Sequence, residues 1–484
     1  MPSSLLATDG YKFAMAEAGH PLRRETFYYS HRRGGPHYLP FDVATVLAEM
    51  LPDSVSAEED AFLAGSGYTL GGGARAALAD TQLTIRSLPR GSWFFDREPV
   101  FTVTGRSALV SWLEPLVLQL HYRVQVATMA RLAPERLAEA VGVVTCARQR
   151  DIVLETLDAV GVHPAFAIET RSERYVDEVR ERVRDLVAVV GDPDRLFELG
   201  LRSATCMEQH ELTLTACRDA GLRATSSVLG ASRLGLKTVG TMGHEHVQRF
   251  RSDETAFRAM RDRHPGPSAY LLDTFSTVFS GLPTALRLIA EEPDRRDFVR
   301  FDSGDKETQF LIACSMARSL GLAPRFLLED GFTAEQAHSI EQLRALQRVP
   351  PEDVLYGFGG YIVRPDDDPL SRDRVAAVWK LSRTGPHATM KFGDELGHGK
   401  ESLPGEPVVH RRYDEGHWSG VVAQLGEDPG EDALLTGSDV VPPRLRFTPS
   451  EAVEFSARPL HLSPHTLALR SSLYAERERL LRAP

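Results

Sequence analysis

Cysteine is scarce: the 484 residues hold four, Cys146, Cys206, Cys217 and Cys314, with no C-x-x-C spacing. That excludes a disulfide-framed scaffold and reads as reduced core thiols of a cytoplasmic protein. Long apolar runs are missing too. No stretch approaches about 18 uninterrupted apolar residues, and no basic segment followed by an apolar run opens the chain, so neither a membrane span nor an export signal is expected. Positive charge is not in excess either: 56 basic residues against 67 acidic ones leave a net charge of -11. The balance argues against nucleic acid or anionic membranes as partners, so an anionic substrate must meet a local basic site. Low-complexity tracts and internal repeats beyond a βα period are also absent.

What is present is a globular composition, 42% hydrophobic, with room for two or three domains. Thr8 to Met15 reads as a capped helix start, and Thr26 to Ser30 as an aromatic strand running into the basic, glycine-rich turn of Arg32, Arg33, Gly34 and Gly35. Residues 41–80 suggest two helices stopped at Gly71–Gly73, residues 83–104 a small antiparallel layer, and Leu109 to Ala130 an apolar core helix. Short β-rich runs then recur around Phe166–Ile168, Lys237–Val239, Tyr270–Leu272, Phe298–Arg300, Arg325–Leu327 and Val354–Tyr356. Their spacing of roughly 30 residues is that of βα units, which build a parallel sheet. Thr333 and Gln336 form a capping-box spacing before one of the intervening helices. The expected fold class is α/β: an irregular, TIM-like parallel barrel over residues 131–384, an N-terminal mixed α+β domain over 1–130, and a C-terminal segment, 385–484, packed on both. The segment from Ala147 to Asp194 has no assigned role beyond completing the barrel's edge.

Chemistry collects where predicted strands end. Phe298-Val299-Arg300-Phe301-Asp302-Ser303-Gly304-Asp305 places a guanidinium and two carboxylates at the lip of the crevice that parallel α/β folds leave beyond their strand carboxyl ends. The same composition also serves an ordinary turn and helix cap. Gly240-Thr241-Met242-Gly243-His244-Glu245-His246 sets a histidine on a glycine-framed turn, where a neutral imidazole can act as nucleophile or proton carrier. A metalloprotease-like zinc site fails on spacing, because His244 and His246 are two residues apart rather than four. Leu272-Asp273 repeats the pattern of a strand ending in a carboxylate, and Gly357-Phe358-Gly359-Gly360 frees backbone N–H groups for a phosphate or merely makes a tight turn. Lys380, Arg383, Lys391 and Lys400 form a basic stretch that a solvated loop explains equally well. The set as a whole suits a phosphorylated sugar held with a divalent metal.

Six ordered motifs, Thr8-Asp9-Gly10-Tyr11-Lys12, Glu198-Leu199-Gly200-Leu201-Arg202, Thr225-Ser226-Ser227-Val228, Gly240 to Glu245, Asp273-Thr274-Phe275 and Arg300 to Asp305, resemble those of nicotinate phosphoribosyltransferases. The resemblance implies that nicotinate and phosphoribosyl pyrophosphate give nicotinate mononucleotide and pyrophosphate, coupled to ATP, with Mg²⁺, in a homodimer whose subunits share each active site. It implies that His244 is phosphorylated transiently and that Tyr11 stacks on the pyridine ring, with Leu199, Arg202 and Ser226 around it. Asp273, Arg300, Asp302 and Asp305 are implied at the ribose and the Mg²⁺-pyrophosphate, Asp273 and Asp302 being metal-binding. Gly331, Gly359 and Gly360 are implied at the nucleotide phosphate. Ser226 stands where the nicotinamide branch has an aspartate, which favours the carboxylate-bearing base. The chain departs from the pattern at Leu199, where a phenylalanine is usual, at Ser203, at Ser276 and at Glu329. Those departures keep two alternatives in view: transfer to nicotinamide or another pyridine, and a nucleotide-binding homologue without turnover.

Overall fold

In the computed structural model of the protein, the described residues are 4–52, 55–364, 368–394, 401–414, 417–427, 446–458 and 460–482, with side chains 412–419 left aside. Lys400 lies outside them.

Seven parallel strands form the central sheet, in the order Lys237–Thr238, Ala224–Thr225, Leu196–Glu198, Val354–Phe358, Arg325–Leu328, Phe298–Phe301, Ala269–Leu271. The two outer strands are not paired with each other, so the curled sheet is a barrel left open along one seam. Thr241 spans that seam, its hydroxyl donating to the Ala269 carbonyl at 3.2 Å. Alternation along the strands separates two layers, because successive side chains point to opposite faces. Tyr270, Val299 and Phe326 face the surrounding helices and are buried, whereas Ala269, Phe298, Leu327, Leu355 and Phe197 cluster on the other face. Arg300 follows Phe298 on that inner face, paired in register with Leu271 and Leu327.

The expected antiparallel layer is five strands wide: His387–Ala388, Ala377–Thr384, Arg24–His31, Phe101–Arg106, Thr84–Ser87. Ala377–Thr384, which the sequence reading put in the barrel segment, pairs with Arg24–His31 in this layer. Stacked rings tie its strands together, Phe27 on Trp379 at 5.6 Å and Tyr29 on Phe101 at 5.0 Å. The helix Glu114–Leu132 lies buried between this layer and the barrel, and one apolar core runs through both. A C-terminal sheet, Pro407–Asp414, His417–Gln424 and His461–Leu462, precedes the closing helix Pro464–Arg482.

Two further expectations change. Phe166–Ile168 is not a barrel strand; the neighbouring Glu169–Thr170 pairs with Val143–Val144 in a separate two-stranded sheet. The barrel instead uses Leu196–Glu198 and Ala224–Thr225, too short to carry a periodic signal. Gly71–Gly73 begins a third helix, Gly72–Ala79, with Gly71 extended at its N-cap, where glycine is as much at home as at a helix end.

Candidate active site

The strand carboxyl ends converge on a cavity of about 520 Å³. Its wall includes Tyr11, Leu199, Arg202, His244, Arg300, Asp302, Glu329, Gly331, Gly359 and Gly360, brought together from across the sequence. A second space of about 500 Å³ runs through the barrel interior and shares Tyr11, Leu199, Arg202, Arg300 and Glu329 with the first; Ser226 lines this one. Asp273 is fully buried behind His244. Asp305 stands apart: it is exposed, and its carboxylate caps the helix Lys306–Ser319 by accepting from the N–H groups of Glu307 and Thr308.

His244 is the first residue of the helix His244–Phe250, delivered there by the extended Gly243. Lys391 Nζ lies 2.8 Å from His244 Nε2, and Nδ1 is 3.0 Å from the Thr274 hydroxyl. Asp302 Oδ2 lies 3.2 Å from Nε2 and Asp273 Oδ1 3.8 Å. Burial and the Lys391 charge lower the His244 pKa against the pull of both aspartates, keeping the imidazole neutral. Burial would raise Asp302, but His244, Lys391 and Arg300 outweigh it and hold the carboxyl well below the usual range. Asp273 is likewise held down, against burial, by Lys391 at 2.9 Å and by His244. His246 faces elsewhere, its ring against the Ala256 carbonyl at 2.9 Å, so the two histidines do not share a site.

Ligand atoms of His244, Asp273 and Asp302 all lie within 4.8 Å of one another. Asp273 Oδ1 is buried without a hydrogen-bond partner, and two carboxylates are the donors a hard divalent cation prefers, so these residues fit Mg²⁺.

On the ring side, Tyr11 donates to Glu114 Oε2 at 2.7 Å, and Arg202 lies 5.9 Å from the Tyr11 ring centre. Arg202 sits between two carboxylates, 3.8 Å from Asp9 and 3.7 Å from Glu114. Ser226 donates to Asp9 Oδ1 at 2.7 Å, leaving Asp9 Oδ2 buried without a hydrogen-bond partner. Burial raises the Asp9 pKa, with Arg202 and Ser226 opposing. Arg300 is engaged by Glu329 at 2.8 Å and donates to the Met242 carbonyl across the seam. Ser276, one of the departures, caps the turn Thr277–Gly281.

Sequence reasoning underrated Lys391, which is buried at the centre of the site rather than solvated in a loop. It also passed over Glu114, a lone acid at the head of an apolar helix, and the pairing of Lys12 with Glu114 and Glu245. A charge inside an apolar run was the available signal for Glu114. Arg32, Arg33, Arg97, Arg372 and Lys380 complete a basic rim around the larger cavity. Burial, with Arg32 and Lys391 nearby, lowers Lys380 to about 8. Arg383 instead pairs with Glu406 at 2.6 Å, away from the cavity.

No protein-family model matches the chain. Over 250 residues it is 28% identical to the nicotinate phosphoribosyltransferase of Bacillus subtilis, covering 49% of this chain and 47% of that protein. A Mycobacterium tuberculosis nicotinate phosphoribosyltransferase is 30% identical over 219 residues, 45% of this chain and 44% of that one. These two alignments span about half the length of the relatives; the alignment with the human enzyme, 24% identical over 446 residues, covers 80% of this chain and 70% of it. Solved nicotinate phosphoribosyltransferase structures share the fold: that from Porphyromonas gingivalis has a TM-score of 0.57 at 19% identity, covering 82% of this chain and 95% of its own. That from Vibrio cholerae has a TM-score of 0.58 at 16% identity, covering 81% and 88%. In sequence as in fold, the chain is similar to nicotinate phosphoribosyltransferases.

Proposed function

We propose that the chain transfers the phosphoribosyl group of phosphoribosyl pyrophosphate to nicotinate, driven by ATP through a phosphorylated His244. The observation that carries the reading is the His244 environment: a neutral, buried imidazole on the wall of a cavity edged with cations, with Lys391 Nζ 2.8 Å from its Nε2. A nucleophilic nitrogen so held attacks a phosphoryl group best when nearby cations neutralise the phosphate oxygens, the part assigned to Lys391, Lys380 and the arginine rim. Asp273 and Asp302 would hold Mg²⁺, which when bound supplies charge neutralisation to the pyrophosphate. Tyr11 and Arg202 orient the ring so that its nitrogen meets the anomeric carbon, and Gly359 and Gly360 offer backbone N–H groups to the 5′-phosphate. Loss of pyrophosphate leaves oxocarbenium character on the ribose, which the carboxylate of Asp302 stabilises. A homodimer with shared sites and a cytoplasmic role belong to the same reading.

One observation favours a second acceptor. Asp9 Oδ2 is buried without a hydrogen-bond partner behind Ser226, 3.8 Å from Arg202 Nε, and a ring that displaced Ser226 would offer it an amide N–H, which would admit nicotinamide. The test is mononucleotide formation from each base, with and without ATP, for the wild type and for His244→Ala. ATP-stimulated synthesis from nicotinate that loses its ATP dependence in the variant supports the first reading. A preference for nicotinamide supports the second, and a folded protein that makes no product from either base refutes both.

A further inference from the structure

Two helices that start far apart in the chain meet head to head beside the site. Each begins with the same local sequence, Thr145-Cys146-Ala147-Arg148-Gln149 and Thr205-Cys206-Met207-Glu208-Gln209. Each cysteine is an extended N-cap, at φ -152°, ψ 168° and φ -165°, ψ 167°. In both, the glutamine Oε1 accepts from the N–H and the hydroxyl of the preceding threonine, at 2.7 and 2.6 Å in the first and 2.7 and 2.8 Å in the second. The two starts are bound to each other as well, because Glu208 accepts from the Arg148 N–H at 2.8 Å. This arrangement brings the sulfurs of Cys146 and Cys206 to 3.5 Å, van der Waals contact, inside a satellite core with Tyr122, Val144 and Leu370.

We propose that Cys146 and Cys206 are an oxidant-responsive modification site, a dithiol that closes to an intrachain disulfide and staples the segment 137–170 to the helix Met207–Asp219. A thiolate at a helix N-terminus is favoured by the macrodipole and is the reactive form toward peroxides and disulfides. The Cys146 S–H beside Cys206 lowers the Cys206 pKa against burial, which marks Cys206 as the attacking sulfur. With hydrogen peroxide as oxidant, the Cys206 thiolate attacks one oxygen, giving a sulfenic acid and hydroxide. The Cys146 sulfur then attacks the sulfenic sulfur, and the departing hydroxide takes the Cys146 proton. Two thiols and one peroxide become one disulfide and two waters, each sulfur losing one electron. A small-molecule disulfide reaches the same product by two exchanges that release two thiols. Cys217 and Cys314 are buried thiols outside this pair and serve as internal controls. The staple would close a loop between positions 60 apart, and Cys206 follows Arg202 by four residues, so it anchors the turn that carries a ring contact.

The experiment treats the full chain, native, with hydrogen peroxide or with oxidised glutathione, followed by thiol titration after denaturation, intact mass and a proteolytic map. Expected are loss of two of the four thiols, a mass lower by about 2 Da, a Cys146–Cys206 cross-linked peptide, and a higher urea midpoint that thiol reductant reverses. Cys146→Ala and Cys206→Ala should each abolish the cross-link and the midpoint shift. Four remaining thiols, a link mapped to Cys217 or Cys314, or a persistent glutathione adduct on a single cysteine would overturn the dithiol site. A Cys146–Cys206 bond that leaves the urea midpoint where it was would overturn the staple.

Discussion

Lys12→Met tests whether the two halves of the site are one electrostatic unit. Lys12 is buried, its ammonium paired with Glu114 and, at 2.5 Å, with Glu245 Oε1. Glu245 also accepts from Ser111 at 3.1 Å, and Glu114 from Tyr11 at 2.7 Å. The lysine therefore joins the helix that starts at His244 to the aromatic ring of its own neighbour. Methionine keeps the length and removes the charge, leaving Glu245 without its ion-pair partner and Glu114 with Arg202 alone at 3.7 Å, and breaking such a buried pair costs about 3–5 kcal/mol. That is a large part of the roughly 5–15 kcal/mol that holds a protein folded. Adding Glu245→Gln removes one of the stranded charges, so the double variant should recover about 1–3 kcal/mol relative to the sum of the single ones. Urea unfolding of the four proteins gives the cycle, and the KM for the base should rise in the lysine variant as Tyr11 loses the cation 4.5 Å from its ring. Additive costs would refute the argument, because they would mean that Lys12 and Glu245 do not act on each other.

Leu199→Phe should lower the KM for the base: Leu199 lies over Gly357, where an added Cβ would meet it at 2.3 Å, and an aromatic wall opposite Tyr11 adds about 0.5–1.5 kcal/mol, roughly 2- to 12-fold. An unchanged or higher KM would show that the ring does not lie between those residues. Gly240→Ala should weaken base binding and cost about 1–3 kcal/mol, because Gly240 has φ +153° and a Cβ there would meet the Tyr11 backbone nitrogen at 2.4 Å; a variant with wild-type KM and melting point would contradict it. Burial holds His121 down to about 3, so it is neutral in the fold and the unfolded chain takes up the proton first. Stability from this group is therefore lost as pH falls below about 6.5 and the loss ends near the folded value, amounting to about 2 kcal/mol at pH 5. The stability gap between wild type and His121→Gln, measured in urea at pH 7 and pH 5, should move by that amount in favour of the variant, and a constant gap would sink the assignment.

What could be read in advance was set by the length and punctuation of each element. Phe298–Phe301 announces itself through aromatic and branched residues before an acidic turn, and the Thr333–Gln336 capping box is formed as spaced. Leu196–Glu198 and Ala224–Thr225 are strands only because neighbours on both sides pair with them, a tertiary cause that two or three residues cannot encode. Phe166–Ile168 has the right residue types and lacks that company. Arg300, Asp302 and His244 were recognisable because each follows a predicted strand, whereas Lys391 comes from a polar loop whose path over the barrel no local pattern reveals. Asp305 carried two readings in its composition, and the structure uses it as a cap. The facing thiols were invisible for a different reason: the repeat of Thr-Cys-x-x-Gln is local, but its meaning depends on a contact across 60 positions.

The balance of charge around the cavity divides its work. An acidic protein, net -11, that acts as proposed must still draw a polyphosphate to this site. The inner cations are already matched: Arg202 with Asp9 and Glu114, Arg300 with Glu329, Lys391 with Asp273. Matched, buried pairs orient a substrate and add little net attraction, so the pull on an anion must come from the rim, where Arg33 and Arg97 are exposed; Arg372 there is already paired with Asp373 at 2.9 Å. Salt separates the two, since screening shortens the reach of exposed charges from about 10 Å at 0.1 M to about 3 Å at 1 M and touches buried pairs much less. The KM for phosphoribosyl pyrophosphate should therefore climb several-fold between about 0.05 and 0.5 M KCl while the KM for the pyridine changes little. Parallel changes in both would place the attraction in the inner pairs, and the division of labour between rim and interior would be wrong.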